Sequence, residues 1–383
     1  MSRMSLFWRM MSYLRPYGLW AFIAVFGVIG STVLQVAIPR VLEDVVDIGI
    51  ANNDADFMLA AGLLVVGLGV LRGVTGFMFR YFGERLSHHI AYDIRNQAYN
   101  KVQNLSFTYH DNAHVGTLIT RAISDVNEIQ RFFAFGLIDG LITAMLTFGV
   151  ALVMLVSNPL LAIIALLPMI PLAFFSRNFA MSVDPMWKTI MDRLQVLGNR
   201  IQENAVGAEV VRAFAREDFE ISKFSADNEH LFHEQLSLVK RWGNYLPLSA
   251  MIIAFSTALV LFFGGYMEQQ GIAGVTVGQV VAFNAYVLIL ANPLRFLGFV
   301  ILLVTQALSS AERVFEIIDS DTGIESKPDA VTFESMRGVV RFENVSFAYE
   351  GGPEILHNID IEAQPGEVVA LVGPTGAGKS SAR

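Results

Sequence analysis

Long apolar runs without charge dominate the pattern of hydrophobic and polar positions along this chain. Residues 16–39 contain no Asp, Glu, Lys or Arg. A run of this length crosses a hydrocarbon core of about 30 Å as a helix. Comparable runs follow, and one of them is interrupted only by Arg72. We predict six spans within residues 16–39, 57–79, 137–157, 159–178, 243–267 and 275–305.

The third and fourth spans are separated by a turn signal alone. Residues 140–176 carry no charge, and the sequence Ser157-Asn158-Pro159 interrupts them. Asn-Pro pairs favour turns, so we expect two spans joined by a very short loop. Buried helices of a large soluble protein are the alternative, but core helices rarely exceed about 18 consecutive uncharged residues.

Two polar stretches between the spans keep a helical period. Apolar residues recur at Leu86, Ile90, Ile94, Ala98, Val102 and Leu105. This spacing predicts that the second span continues beyond the membrane as one helix, from Asp56 to Leu105. Residues 187–211 and 217–240 predict a second pair of helical extensions on the same side. Their plain purpose would be to reach something in the cytoplasm.

The distribution of basic residues predicts the orientation in the membrane. Lys and Arg are frequent in residues 80–131 and 177–241, whereas residues 43–56 have acidic residues and no Lys or Arg. Basic loops lie on the cytoplasmic side, so we expect both termini there, in a multi-pass protein of the cell (inner or plasma) membrane. Residues 1–13 predict a short interfacial helix. It would place these side chains near the headgroups: Leu6, Phe7, Trp8 and Met10.

Composition agrees with a membrane protein and excludes several classes of site. Hydrophobic residues make up 54% of the chain and charged residues 16%, with a mean hydropathy of +0.49. Soluble domains carry about 25% charged residues. The chain has no cysteine, which excludes disulfides and thiolate metal sites. The net charge of −8 gives no indication of nucleic-acid binding.

Alternation with a period of two first appears after residue 338. We predict a linker over residues 319–337, strands in residues 339–347 and 355–362, and an apolar strand over residues 367–372. The predicted fold class is an all-α membrane domain with six long helices and cytoplasmic extensions, over residues 1–318. A truncated α/β P-loop domain follows over residues 338–383.

The segment Gly373-Pro374-Thr375-Gly376-Ala377-Gly378-Lys379-Ser380 has the form G-x-x-x-x-G-K-S, which is typical of a phosphate-binding loop. Its glycines let successive N–H groups point at phosphates. Lys379 would reach the β- and γ-phosphates of ATP, and Ser380 would place its hydroxyl on Mg²⁺. Tyr349, at the end of a strand, is a candidate for stacking on adenine, although such tyrosines more often serve packing.

Polar and aromatic residues inside the spans leave two interpretations open. Arg72, Asp139 and Arg295 are either functional intramembrane charges or paired and interfacial ones. Five aromatic residues either line a hydrophobic cavity or pack against lipid and helices: Phe255, Phe262, Phe263, Phe283 and Tyr286. Asn284 and Asn292 either face a cavity or bond to a neighbouring helix.

Over its whole length the chain resembles a half-transporter of the ABC exporter family. The first cytoplasmic stretch matches at Asp111, Gly116, Leu118, Arg121, Asp125 and Val126. The second matches at Glu203, Gly207, Val211, Phe214 and Glu217. The remaining matches are Ala311–Asp319 after the sixth span, Glu343–Tyr349 as the adenine-stacking strand, and Pro365–Ser381 as the Walker A region.

The resemblance implies a subunit that exports a hydrophobic compound, drug or lipid by alternating access. It also implies a homo- or heterodimer with another half-transporter, contact with membrane lipid, and ATP and Mg²⁺ as cofactors. Coupling helices near Tyr109–Gly116 and Arg212–Phe219 would dock on ATP-binding domains. The implied nucleotide site comprises Tyr349, Gly373, Pro374, Thr375, Gly376, Ala377, Gly378, Lys379, Ser380 and Ser381.

The sequence stops four residues after Lys379, before the family's signature motif, Walker B aspartate, catalytic glutamate and switch histidine. We therefore assign no catalytic residue and expect that this polypeptide alone neither hydrolyses ATP nor binds it tightly. A non-enzymatic six-span module for dimerisation or ligand binding, with a vestigial P-loop, is the alternative. An ion channel is a third interpretation, which leaves the P-loop unexplained.

Overall fold

The computed structural model describes residues 2–105, 109, 115–320, 329–332, 334–336, 338–349 and 352–382, without the side chains of residues 115 and 117. The chain divides into two compact units, Met1–Gly323 and Ile324–Arg383. The first contains six long apolar helical segments, and the second contains a two-stranded sheet. The predicted fold class is confirmed. The linker lies partly outside the described residues, and the predicted domain boundaries stay predictions.

Six helical segments, here called spans one to six, are long and apolar enough to cross a membrane. They are Arg3–Ile50, Ala55–Gln103, Leu118–Ser157, Pro159–Val206, Glu217–Gln269 and Val277–Ile318. Their α-helices are α1 (Arg3–Ser12), α2 (Gly18–Asp44), α3 (Ala55–Gln103), α4 (Val115–Thr120), α5 (Val126–Arg131), α6 (Leu137–Ser157), α7 (Pro159–Leu166), α8 (Met169–Val206), α9 (Ala208–Ala213), α10 (Glu217–Gln269) and α11 (Val277–Ile318). Short 3₁₀ or π turns join several of them. These turns are Arg15–Tyr17, Val45–Ile50, Arg121–Asp125, Phe132–Gly136 and Ile272–Gly274.

Polar side chains set the starts of three of these helices. Asp54, Asn158 and Thr276 each accept a hydrogen bond from the backbone N–H three residues later, at 2.9, 3.1 and 3.1 Å. Such N-caps satisfy donors that the first helical turn leaves unpaired. The break between spans three and four falls at Asn158, within the turn sequence found in the chain.

Spans two and three form one pair of helices, and spans four and five form another. Both pairs extend beyond the apolar runs at the same end of the unit, called here the extension end. Span two is one helix from Ala55 to Gln103, which confirms the predicted continuation. The extensions of spans four and five pack through a separate apolar cluster of Val183, Ile190, Leu231 and Leu238. The arm formed by spans four and five therefore has an apolar core of its own.

Span six lies at the centre of the unit, because both larger apolar clusters contain its residues. One cluster also includes Leu6 and Met10 of α1, which are 4% and 1% exposed. This corrects the expectation that both side chains lie near the headgroups. Burying them against neighbouring helices removes more apolar surface from contact with water and polar headgroups than an interfacial position would. Trp8, by contrast, is exposed.

The second unit contains the strands β1 (Val340–Ala348) and β2 (Glu354–Ala363), which pair antiparallel with Val340 opposite Ala363. The apolar strand predicted over residues 367–372 is not formed. An apolar strand of this kind requires neighbouring strands and covering helices. Among the described residues of this unit, the sheet has only β1 and β2. The segment therefore follows β2 as irregular chain.

Candidate functional site

The predicted phosphate-binding loop folds back around its own lysine. The Lys379 ammonium donates hydrogen bonds to the carbonyl oxygens of Gly373 and Pro374, each at 2.7 Å. Gly376 and Gly378 have positive φ angles of 88° and 75°. These angles favour glycine and turn the backbone within the loop. The ammonium therefore sits within reach of the loop backbone.

Tyr349 lies next to this loop, so the structure brings together two features that are far apart in sequence. Its hydroxyl is 3.2 Å from the Ser381 hydroxyl. Its ring packs edge to face on Phe347, with 5.0 Å between the ring centroids. About half of the Tyr349 surface stays exposed. An exposed ring beside the loop has the geometry for stacking on a planar base.

The residues present fit a phosphate chain better than they fit a metal ion. An anion on the loop would give the Lys379 ammonium an oppositely charged partner, which its two carbonyl acceptors do not. A side chain at Gly378 would meet Leu356 and Ile355 at 3.0 and 3.2 Å, so that position requires glycine. Ser380 is exposed. Among the described residues, no group of three or more His, Cys, Asp or Glu side chains could hold a metal ion.

In the membrane unit, residues of the first cytoplasmic pattern meet the last turns of span six at the extension end. Arg313 forms a two-pronged ion pair with Asp125, which is 5% exposed. Arg121 pairs with Glu316 at 3.0 Å. Asp125 closes the π-helical turn Arg121–Asp125, a type of irregularity frequent at functional sites. The two sequence patterns thus form one charged contact. Asp111, from the same pattern, lies outside the described residues.

One contact in this region has no signal in the sequence. Arg9 of α1 donates two hydrogen bonds to the Asp319 carboxylate, at 2.5 and 2.7 Å. Its guanidinium also lies 4.1 Å from the centre of the Phe315 ring. The hydrogen bonds from Arg9 hold the pKa of Asp319 below its usual value. This contact ties the N-terminal helix to the end of span six.

The second predicted coupling segment, Arg212–Phe219, lies at the tip of the arm formed by spans four and five. It includes the end of α9, a turn with Ala215 at φ 48°, and the start of α10. The side chains of Val206, Val210 and Phe214 are exposed there. Most of the first segment, Tyr109–Gly116, lies outside the described residues.

The intramembrane charges differ in their partners. Arg72 donates to the Gln35 side chain at 2.9 Å, and Asp139 pairs with Arg80 at 3.7 Å. For Arg295, the structure gives no ion pair and no side-chain hydrogen bond among the described residues, and its Nε is buried without a partner. Asp139 is therefore a paired charge and Arg72 a hydrogen-bonded one, whereas Arg295 has neither kind of partner within the described part of the chain.

The aromatic residues of spans five and six also separate into two groups. Phe255, Phe262 and Phe263 are exposed on the surface of the unit. Phe283 and Tyr286 are fully buried and pack between helices. Of the two asparagines, Asn284 bonds to the Val280 carbonyl of its own helix, and Asn292 is exposed.

Comparison with known proteins identifies the membrane unit. The sequence model of the protein family described as the ABC transporter transmembrane region matches residues 21–294. An uncharacterized ABC transporter ATP-binding protein, YknU of Bacillus subtilis, is 32% identical, with 99% of this chain and 64% of that protein covered. The putative multidrug export ATP-binding/permease protein YgaD of the same organism is 30% identical over 97% and 65%. The ATP-dependent lipid A-core flippase of Desulfotalea psychrophila is 29% identical over 96% and 64%.

The chain therefore spans slightly less than two thirds of the length of these relatives. The family match covers residues 21–294, from within span one to within span six. Six apolar helices of this length agree with that match. The chain is a multi-pass membrane protein, and it belongs to the ABC transporter transmembrane region family.

Proposed function

We propose that the chain is a subunit of an ATP-driven ABC exporter that moves a hydrophobic compound, drug or lipid across the membrane. The observation that carries this proposal is a six-span unit of the ABC transporter family in one chain with the sequence G-x-x-x-x-G-K-S. The names of two relatives, a putative multidrug exporter and a lipid A-core flippase, support the class of cargo.

In this proposal two half-transporters, identical or different, surround one pathway that opens alternately to the two sides. The exposed apolar tip at Val206, Val210 and Phe214 supports a docking role, because such a patch suits contact with another protein surface. Docking on an ATP-binding domain would transmit its closure to spans four and five. Since the tip belongs to long helices with their own core, it would move with them as one body.

For the nucleotide site, we propose that Lys379 and the loop N–H groups hold the phosphates and that Tyr349 stacks on adenine. Ser380 would contribute one oxygen ligand to Mg²⁺. A Lys379→Ala variant that binds a fluorescent ATP analogue as tightly as the wild type would contradict this site.

The test of export compares this polypeptide with the product of its reading frame continued past the codon for Arg383. Inside-out vesicles with the continued product should accumulate a hydrophobic fluorescent dye when ATP is added. Lys379→Ala should abolish the uptake, since the loop loses its cation. A product that forms a stable dimer but shows no ATP-dependent uptake would favour the non-enzymatic module instead.

The proposed orientation has a direct test, because the chain has no cysteine. Single cysteines replace Phe214 at the arm tip and Asn53 in the loop between spans one and two. A membrane-impermeant maleimide should label the Asn53→Cys variant in intact cells, and it should reach the Phe214→Cys variant only after the membrane is opened. The reverse pattern would contradict cytoplasmic termini.

A further inference from the structure

An open groove runs between spans five and six in the apolar part of the membrane unit. Its volume is about 410 Å³, and span five lines it with small residues on one helix face: Ala250, Ala254, Thr257 and Ala258. Residues four apart lie on the same face of a helix, so this spacing leaves a continuous channel along span five. Ile253 and Leu261 complete that wall, and Leu288 and Arg295 of span six form the other.

Arg295 gives this apolar groove a positive charge. Its Nε is buried without a hydrogen-bond partner, and no carboxylate pairs with it among the described residues. Burying a donor without an acceptor is unfavourable, and more so when the donor is charged. Arg72, the other arginine inside an apolar run, has a partner in Gln35. The groove therefore combines apolar walls with an unpaired cation.

The charge lies at one end of the groove. Tyr245 of span five donates its hydroxyl proton to the Arg295 carbonyl at 2.9 Å, which places Arg295 near the extension end of the groove. Leu261 and Leu288 lie toward the opposite end. At 1.5 Å per residue, the wall from Ala250 to Leu261 is roughly 16 Å long. This is the polarity of an amphiphile with an anionic head and apolar tails.

We propose that this groove binds an anionic phospholipid of the bilayer, with its phosphate on the Arg295 guanidinium and its acyl chains along the small-residue face of span five. Guanidinium groups bind phosphate through paired, charge-assisted hydrogen bonds. A second copy of the chain is the competing occupant. Of the six predicted spans, only residues 137–157 contain an acidic residue, Asp139, and it pairs with Arg80 at 3.7 Å, so the bilayer is the better source of the missing anion.

The interpretation of the groove as a cargo site rests on the proposed export function. Lipid binding to the groove can be measured separately, without nucleotide. Failure of export would leave the binding result intact, and failure of binding would leave export to be tested separately. The site thus deepens the proposed function by naming the ligand as an anionic amphiphile.

The test uses native mass spectrometry of the purified chain, titrated with phosphatidylglycerol and with phosphatidylcholine of the same acyl chains. Phosphatidylglycerol should bind more tightly. Arg295→Gln should weaken phosphatidylglycerol binding by about tenfold or more, and Arg295→Lys should retain most of it. Ala254→Phe fills the groove and should weaken binding while the charge stays in place. Arg72→Gln is the matched control and should bind like the wild type.

Equal affinity for the two lipids, or an Arg295→Gln variant that binds phosphatidylglycerol like the wild type, would overturn the proposal. An Arg295→Gln variant that keeps lipid binding but loses its oligomeric state would assign the guanidinium to a contact between copies. If the Arg295→Gln variant does not elute as a single species in size-exclusion chromatography, the lipid affinities of Ala254→Phe and Arg295→Lys test the proposal instead. Unchanged binding in Ala254→Phe then contradicts the groove as the site.

Discussion

The membrane unit and the second unit both contain apolar runs, but these runs fold very differently. In the membrane unit, every long run forms a helix, and residues such as Val150 and Leu161 are completely buried. In the second unit, the run 367–372 forms no strand, and Val368 and Val372 are 93% and 94% exposed. A helix satisfies its backbone within itself, whereas a strand depends on neighbours. Apolar content alone therefore predicts a helix better than it predicts a strand.

The largest effect should come from a close approach of two helices in the membrane unit. A side chain at Gly298 of span six would place its Cβ 2.4 Å from the Ser176 carbonyl oxygen and 2.5 Å from the Ala180 Cβ of span four. Gly298→Leu should therefore destabilise the protein by about 3 kcal/mol or more, since backbone must move apart. Thermal unfolding in detergent and the fraction of monodisperse protein measure this loss.

Gly149→Leu is the matched control, because nothing lies within 4 Å of a Cβ at that glycine in span three. Its melting temperature should stay close to that of the wild type. If both variants melt alike, the close contact of spans four and six does not limit stability. The stability of the membrane unit would then come from its individual helices alone. This would increase the contrast with the second unit, where the apolar run depends on neighbouring strands.

A smaller effect should come from the buried carboxylate of span three. Arg313→Gln leaves Asp125, whose side chain is 7% exposed, without its cation. We expect a loss of about 2 kcal/mol, below the usual range for a buried pair because the Arg313 side chain is 47% exposed. Adding Asp125→Asn should restore part of it. The melting temperatures of the two variants test this order.

Lys188→Gln provides the control for that pair, since it breaks an ion pair with Asp184 at 2.8 Å whose lysine is 72% exposed. The cost should be under about 0.5 kcal/mol. An Arg313→Gln variant that is no less stable than Lys188→Gln would show that Asp125 gains little from its arginine. The ion pair between spans three and six would then be a surface contact.

Sequence reasoning recovered the helices of the membrane unit because each depends on a local pattern. The unbroken helix Ala55–Gln103 follows directly from the spacing of its apolar residues. The sequence alone could not predict the contact of Arg9 with Asp319, because the two residues are far apart in the chain and belong to no motif. In the second unit, the glycines of the loop predicted the backbone turns at Gly376 and Gly378. Whether Tyr349 reaches that loop depends on the hairpin geometry, which no local pattern contains.

The contact of Arg9 with Asp319 should give a smaller, pH-dependent effect. Arg9 lowers the pKa of Asp319 in the folded state, so the pair stabilises the protein at a pH above the unfolded pKa of about 3.9. That stability is lost as the pH falls through the lowered pKa. Because the Asp319 side chain is 43% exposed, we expect only about 0.5 kcal/mol.

Melting curves of the wild type and of Arg9→Gln measure this contribution. The difference between their melting temperatures should be present at pH 6 and should shrink as the pH falls toward about 3. Asp319→Asn removes the titrating group, so in that background Arg9→Gln should have the same small effect at every pH. A difference that grows on acidification would mean that another group controls the docking of α1.

The smallest effect should come from the apolar run that lacks neighbours. Val368→Thr and Val372→Thr replace methyl groups that are already exposed, so each should change the stability of the second unit by under about 0.5 kcal/mol. Leu356→Ala is the contrasting variant, because Leu356 is buried between the hairpin and the loop at Gly378. It should open the hairpin measurably. Hydrogen exchange of the β1 and β2 amides reports both results. Faster exchange in the threonine variants would mean that the run packs on a partner, and its apolar residues would then stabilise structure as those of the membrane unit do.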